Sequence, residues 1–110
     1  ILAHPSCRLL QAREPVDMYM EAVLKAAAAH GKAVEVNSNP ARLDLKDSHA
    51  YLARELGVKL VISTDAHDPS HLRFVRYGVG VARRAWCRAG DILNTRPAAE
   101  VLASLRGDRG

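Results

Sequence analysis

The stretch Leu56-Gly57-Val58-Lys59-Leu60-Val61-Ile62-Ser63-Thr64-Asp65-Ala66-His67 (residues 56–67) decides the fold class. Gly57 reads as a helix stop. Lys59 to Thr64 reads as a short apolar strand, and the run ends in the ionisable triplet Asp65-Ala66-His67. Upstream, Asp47 is placed to cap a helix with apolar positions Tyr51, Leu52 and Leu56. The same order occurs one unit earlier. Asp17 is a candidate cap, Glu21 sits near the positive end of the helix dipole, and Met20, Val23, Leu24, Ala27 and Ala28 recur at helical spacing. Gly31 closes that helix, Ala33 to Asn37 reads as a strand, and Asn39-Pro40 breaks it. Ile1 to Ala3 reads as the end of a still earlier strand, followed by a polar loop from His4 to Pro15 that carries Arg8 and Arg13.

Beyond His67, Asp68-Pro69-Ser70 opens a short helical segment and Val79 to Trp86 reads as a helix. Asp91 to Asn94 reads as a turn, and Pro97 suits the first position of a last helix with Val101, Leu102 and Leu105 on its apolar side. Strand, helix, strand, helix, strand, helices is an α/β order. Each connection is long enough for a right-handed crossover between parallel strands. The fold is therefore an open parallel sheet or part of a barrel, and in both the chemistry gathers beyond the carboxyl ends of the strands.

A length of 110 residues is enough for one domain. With 48% hydrophobic and 25% charged residues, the composition is that of a globular chain and excludes a disordered one. No apolar run approaches the ~20 residues of a membrane helix, so no membrane partner is expected. There is no signal-peptide pattern, and two cysteines, Cys7 and Cys87, make no disulfide framework; a reducing cytoplasm is the expected location. Sixteen cations against 12 anions leave a net charge of +4, a mild pointer to a polyanionic partner. The chain opens on Ile-Leu-Ala-His-Pro, an apolar run with no initiator Met, and is read as a piece of a longer protein.

Three strand ends deliver His4, then Glu35 and Asn37, then Asp65 and His67 to one end of the sheet. Side chains two apart on a strand share a face. Glu35 and Asn37 therefore share one, and so do Asp65 and His67 if the strand persists that far. Val34, Val36, Leu60 and Ile62 face the packed helices. Imidazole with carboxylate suits zinc, manganese or iron, and His4, Asp65 and His67 form a candidate three-ligand metal set. Glu35 and Asn37 are read as supporting residues that orient ligands. Asp65 could instead cap the next helix through an Asp-x-x-Ser pattern. Arg8 and Arg42 lie in loops flanking the strand ends and are candidate phosphate-binding residues. Cys7 follows His4 at a spacing that is only a weak zinc signal. His30, His49 and His71 are assigned to helix surfaces and ends. The run Arg83-Arg84-Ala85-Trp86-Cys87-Arg88 could touch nucleic acid, but the favoured reading is a helix with Trp86 packed inward and its arginines solvated.

These residues resemble the C-terminal part of the PHP (polymerase and histidinol phosphatase) domain, and more narrowly that of bacterial and archaeal family X DNA polymerases. The resemblance is carried by His4-Pro5, by NPARLDL (39–45), by STDAH (63–67), and by RYG, ARR and LNT between Arg76 and Thr95. It covers nearly the whole chain. It implies a partial, distorted (β/α)7 TIM-like barrel with about three parallel strands and their helices. Residues 1–110 would be the C-terminal portion of the domain, with a polymerase domain upstream. It implies a multinuclear metal centre, manganese before zinc, with His4 matching a late histidine ligand and Asp65 and His67 matching a final Asp-x-His pair. The implied activity is metal-dependent phosphoester hydrolysis, as 3′-5′ exonuclease and 3′-end processing in DNA repair, with a DNA 3′ end or another phosphate ester as substrate. Histidinol-phosphate-type phosphatase activity, or a non-catalytic module binding nucleic acid or protein, are the alternatives. Relatives carry Gly where Cys7 stands and an aromatic where Ala41 stands. The strands that bear the family's first His-x-His motif are absent, so this chain alone is expected not to complete the site.

Overall fold

A computed structural model describes residues 1–6 and 20–106. Asp17, Arg13, Arg8 and Cys7 lie outside the described residues. The elements are α1 (Met20–Ala29), β1 (Val34–Asn37), α2 (Asp47–Glu55), β2 (Leu60–Ser63), a 3-10 helix (Pro69–Phe74), α3 (Val75–Arg84), two short 3-10 turns (Ala89–Asp91 and Leu93–Thr95) and α4 (Ala98–Leu105).

β1 and β2 pair in parallel, with Val34 opposite Leu60 and Asn37 opposite Ser63. The sheet extends by single parallel bridges on both sides, Leu2 to Val34 and Leu60 to Ile92. The expected first strand is thus one bridge, held by Leu2 N–H donating to Ala33 O at 2.9 Å and Glu35 N–H donating to Leu2 O at 2.9 Å. Four extended segments lie side by side in chain order, which is the α/β arrangement the alternation predicts.

Val34, Val36, Leu60 and Ile62 are buried against the helices, as the two-residue period requires. Leu24 and Ala27 of α1, Ala50 and Ala53 of α2, and Val81, Ala82 and Ala85 at α3 complete the core. Gly78 on α3 is also buried, and a Cβ there would lie 2.1 Å from Ser38 Oγ and 2.7 Å from Ile62 Cγ2. α3 starts at Val75, not at the expected Val79, so Gly78 lies within its first turn. The glycine is a packing position that lets the helix approach the sheet, not a break.

Three helices end alike. At α1, Gly31 has φ 62 and Lys32 N–H donates to Ala27 O at 2.8 Å. At α2, Gly57 has φ 78 and Val58 N–H donates to Ala53 O at 2.9 Å. Both are left-handed closures that satisfy terminal carbonyls. At α3 the closure is the same, with Cys87 N–H donating to Ala82 O at 3.0 Å, but the left-handed residue is Trp86, φ 64.

Several local expectations are corrected. Asp47 is the first residue of α2, not its cap; Lys46 occupies the cap position, and the Asp47 carboxylate accepts from the adjacent Ser48 N–H at 2.8 Å. Asp68, not Asp65, caps the segment after β2, accepting from Ser70 N–H at 2.9 Å and from the Ser70 hydroxyl. Those two bonds hold the Asp68 carboxyl below the usual carboxylate range. The turn at Asp91–Asn94 is two 3-10 turns around Ile92. Its Asn94 amide acts as a substitute strand, Oδ1 accepting from Ile62 N–H at 3.1 Å and Nδ2 donating to Ile62 O at 2.7 Å. Pro97 precedes α4, and Leu102 and Leu105 are half exposed, so the predicted apolar side of α4 has little cover among the described residues. No described helix is long and apolar enough to cross a membrane.

Cys87 is half-buried against the core. Burial first, then the nearby Asp91 charge, raises its thiol pKa, with Arg54 partly opposing. At neutral pH, peptide-resolved alkylation is expected to label Cys87 several-fold more slowly in the folded chain than in denaturant. Its rate should climb only as pH passes the ordinary thiol range. Equal rates in both states would contradict the buried placement.

Candidate functional site

The polar groups predicted at the strand ends do gather at the carboxyl end of the sheet. They do so as two hydrogen-bonded sets. In the first, the Glu35 carboxylate accepts from His4 N–H at 2.8 Å and from the Ser63 hydroxyl of β2. Glu35 thereby ties the first segment to both strands. In the second, Asn37 is 1% exposed and donates from Nδ2 to Asp65 Oδ2 at 3.3 Å, while its Oδ1 accepts from Asn39 N–H at 3.0 Å. Arg42 Nε lies 3.5 Å from the same Asp65 oxygen, with about a fifth of the arginine side chain exposed.

Asp44 joins the two sets from below and was not singled out by the sequence reading. It is 1% exposed, and its carboxylate accepts from Ser6 N–H at 2.9 and 3.2 Å. Its backbone oxygen accepts from Asn37 N–H at 2.6 Å. The available signal was an acid between two leucines, Leu43 and Leu45, a pattern that favours a buried and bonded carboxylate over a solvated one.

The strand does not persist to His67. β2 ends at Ser63, and Asp65 turns left-handed with φ 54. Asp65 and His67 therefore do not share a strand face. His67 is exposed, its Nδ1 lies 2.8 Å from the Asp65 carbonyl oxygen, and its N–H donates to His71 Nδ1 at 3.2 Å. The His71 ring stacks on Phe74 with centroids 5.0 Å apart. Among the described residues, three of the four non-glycine residues with positive φ, namely His4, Leu43 and Asp65, lie at this end. Such conformations cost about 1–3 kcal/mol each and cluster where structure serves a site.

The donor chemistry of His4, Asp65 and His67 suits a divalent cation. Their placement does not make a site from these residues alone: among the described residues no group of three His, Cys, Asp or Glu side chains could hold a metal ion. Arg8 lies outside the described residues, so of the two phosphate-binding candidates only Arg42 is placed.

A likeness to a known protein fits this end of the molecule. Over 106 residues, 96% of the chain, the sequence is 40% identical to the DNA polymerase/3′-5′ exonuclease PolX of Bacillus subtilis. This chain is a relative of a PolX segment. It spans 19% of that protein's length. No protein-family model matches the chain.

Proposed function

We propose that this chain is a phosphoesterase segment of the kind that processes DNA 3′ ends, working beside a polymerase domain and dependent on a divalent metal, manganese before zinc. The fold proposed is an arc of a distorted (β/α)7 barrel, the PHP fold, and the setting is cytoplasmic. The observation that carries the reading is the 40% identity to a protein named as a polymerase and 3′-5′ exonuclease. The polar cluster supports it, because it lies at the end of the sheet where α/β enzymes place their chemistry.

In this reading His4, Asp65 and His67 are part of a donor set, completed by residues outside the described chain. The bound metal would supply Lewis acidity and an activated water. The chain's own residues do the positioning. Asn37 and Arg42 hold the Asp65 carboxylate in one orientation, and the Arg42 guanidinium is the candidate to stabilise charge on a phosphate oxygen. Glu35 fixes the backbone of His4, so the imidazole springs from a tethered point. A second reading, DNA binding without catalysis, is favoured by one observation: the three donors do not converge among the described residues.

Equilibrium dialysis against Mn²⁺ and Zn²⁺, followed by elemental analysis and a 3′-end hydrolysis assay on a primer–template, tests the proposal. In a longer protein that supplies the rest of the donor set, metal uptake that falls in His67→Ala, with hydrolysis reduced about a hundredfold or more in Asp65→Asn, is the expected result. If that longer protein folds, takes up no metal and still binds DNA, the assignment moves to the second reading.

A further inference from the structure

Residues 69–90 contain five arginines and no acidic residue. Arg73, Arg76, Arg83, Arg84 and Arg88 are all exposed. Positions 73, 76, 80 and 83 recur at spacings of three and four and line one face of the 3-10 helix and α3. The opposite face, Gly78, Val81, Ala82 and Ala85, is buried. Among the described residues only Arg84 of these five has a carboxylate partner, Asp47 at 3.3 Å. Arg76 lies over the Tyr77 ring, 5.0 Å from its centroid.

A basic row alone is a solvated face. Here it ends on Trp86, which is 74% exposed and overturns the expectation of an inward-packed ring. Trp86 also holds the left-handed closing position that glycine fills at α1 and α2. The residue is therefore unfavourable for the fold twice over, through an unburied indole and a backbone conformation disfavoured for a bulky side chain. Among the described residues no packing role offsets either cost. An exposed aromatic flanked by exposed arginines, of which Arg83 and Arg88 have no carboxylate partner among the described residues, matches the parts by which single-stranded nucleic acid is held, a ring for base stacking and cations for the backbone.

We infer that Trp86, with Arg83, Arg84 and Arg88 around it, is a base-stacking platform for single-stranded DNA. The inference rests on the proposed function only for the choice of DNA as the polyanion. The contact itself needs neither Asp65 nor a metal. α3 is about 15 Å long, so the row leads a strand along the helix from the polar end of the sheet towards Trp86.

The test uses the whole chain in EDTA with an end-labelled thymidine oligomer of about a dozen nucleotides. Trp86 is the one tryptophan in the chain, so intrinsic fluorescence reports it alone. Its emission is expected to be quenched on binding. Trp86→Gly should bind about tenfold more weakly by anisotropy while melting a few degrees higher, because glycine suits the closure. Trp86→Asn, which tolerates the same backbone, stands in if the glycine variant does not fold. Arg83→Ser with Arg88→Ser should flatten the dependence of log affinity on log salt by about 1.4. Binding without quenching, unchanged affinity in both Trp86 variants, or no binding overturns the inference. Quenching here, with no metal-dependent 3′-end hydrolysis by the longer protein in the assay above, leaves the inference standing and removes the proposed function; hydrolysis there without quenching here does the reverse.

Discussion

Gly78→Ala is expected to lower stability by about 2–3 kcal/mol, although alanine is the better helix former by about 1 kcal/mol. The methyl group would enter a space already held by Ser38 Oγ at 2.1 Å and Ile62 Cγ2 at 2.7 Å. Ser38 and Ile62 are both buried, and the neighbouring backbone is held by Ser38 N–H donating to Ser63 O at 2.7 Å. α3 must therefore lift from the sheet or the serine must turn into other atoms. The melting temperature should fall by roughly 10–20 °C. Ser38→Ala provides the internal check. Its hydroxyl is buried and has no hydrogen-bond partner among the described residues, so removing it alone should be neutral or mildly stabilising. In the Gly78→Ala background it should recover a good part of the loss, because the closest clash is gone. Strictly additive effects in the double mutant would show that the two residues do not meet.

Asp44→Ala should cost about 3 kcal/mol. It removes a charged acceptor and leaves the Ser6 N–H, buried and bonded only there among the described residues, without a partner. The damage should be directional. The first segment is held to the sheet by Leu2, His4 and Ser6, and Asp44 is its last anchor. Hydrogen exchange should therefore rise most at Ser6 and His4, less at Leu2, and little at Val36 or Ile62 in the strand core. Asp44→Asn, which keeps one acceptor oxygen, should lose about half as much. Unchanged protection at Ser6 in Asp44→Ala would mean that this carboxylate does not hold the segment. The stakes are functional as well as structural, since His4 leaves the sheet on that same segment.

Much of the architecture could be read along the chain because its causes are local. β1 and β2 are short β-branched runs bounded by Gly and by Asn-Pro. Gly31 and Gly57 fall where helices must turn left-handed. The parallel order followed from the length of the connections, and the α/β class with it. The gathering of His4, Glu35, Asn37 and Asp65 at one end of the sheet followed from that order. What failed were the inferences that extended a local rule one step too far. Two-residue alternation places Asp65 and His67 on one face only if the strand persists past Ser63, and it does not, because Asp65 turns left-handed. The Asp-x-x-Ser spacing leaves a cap role open to Asp65, yet Asp68, three residues on, has the Ser70 amide within reach. Trp86 was placed inside because indole rings are usually buried, while the helix face that α3 buries is made of Gly78, Val81, Ala82 and Ala85.

The sequence by itself determined strands, helices, their order and the end of the sheet where polar groups collect, since each depends on neighbours within one turn or one pleat. Only the tertiary structure decided that Gly78 is a contact, that Asp44 is an anchor, that Arg42 shares Asp65 with Asn37, and that Trp86 faces water. The first three are relations between residues 16 to 40 positions apart, and all four are set by which faces the packed helices and sheet leave for one another. No local periodicity encodes them.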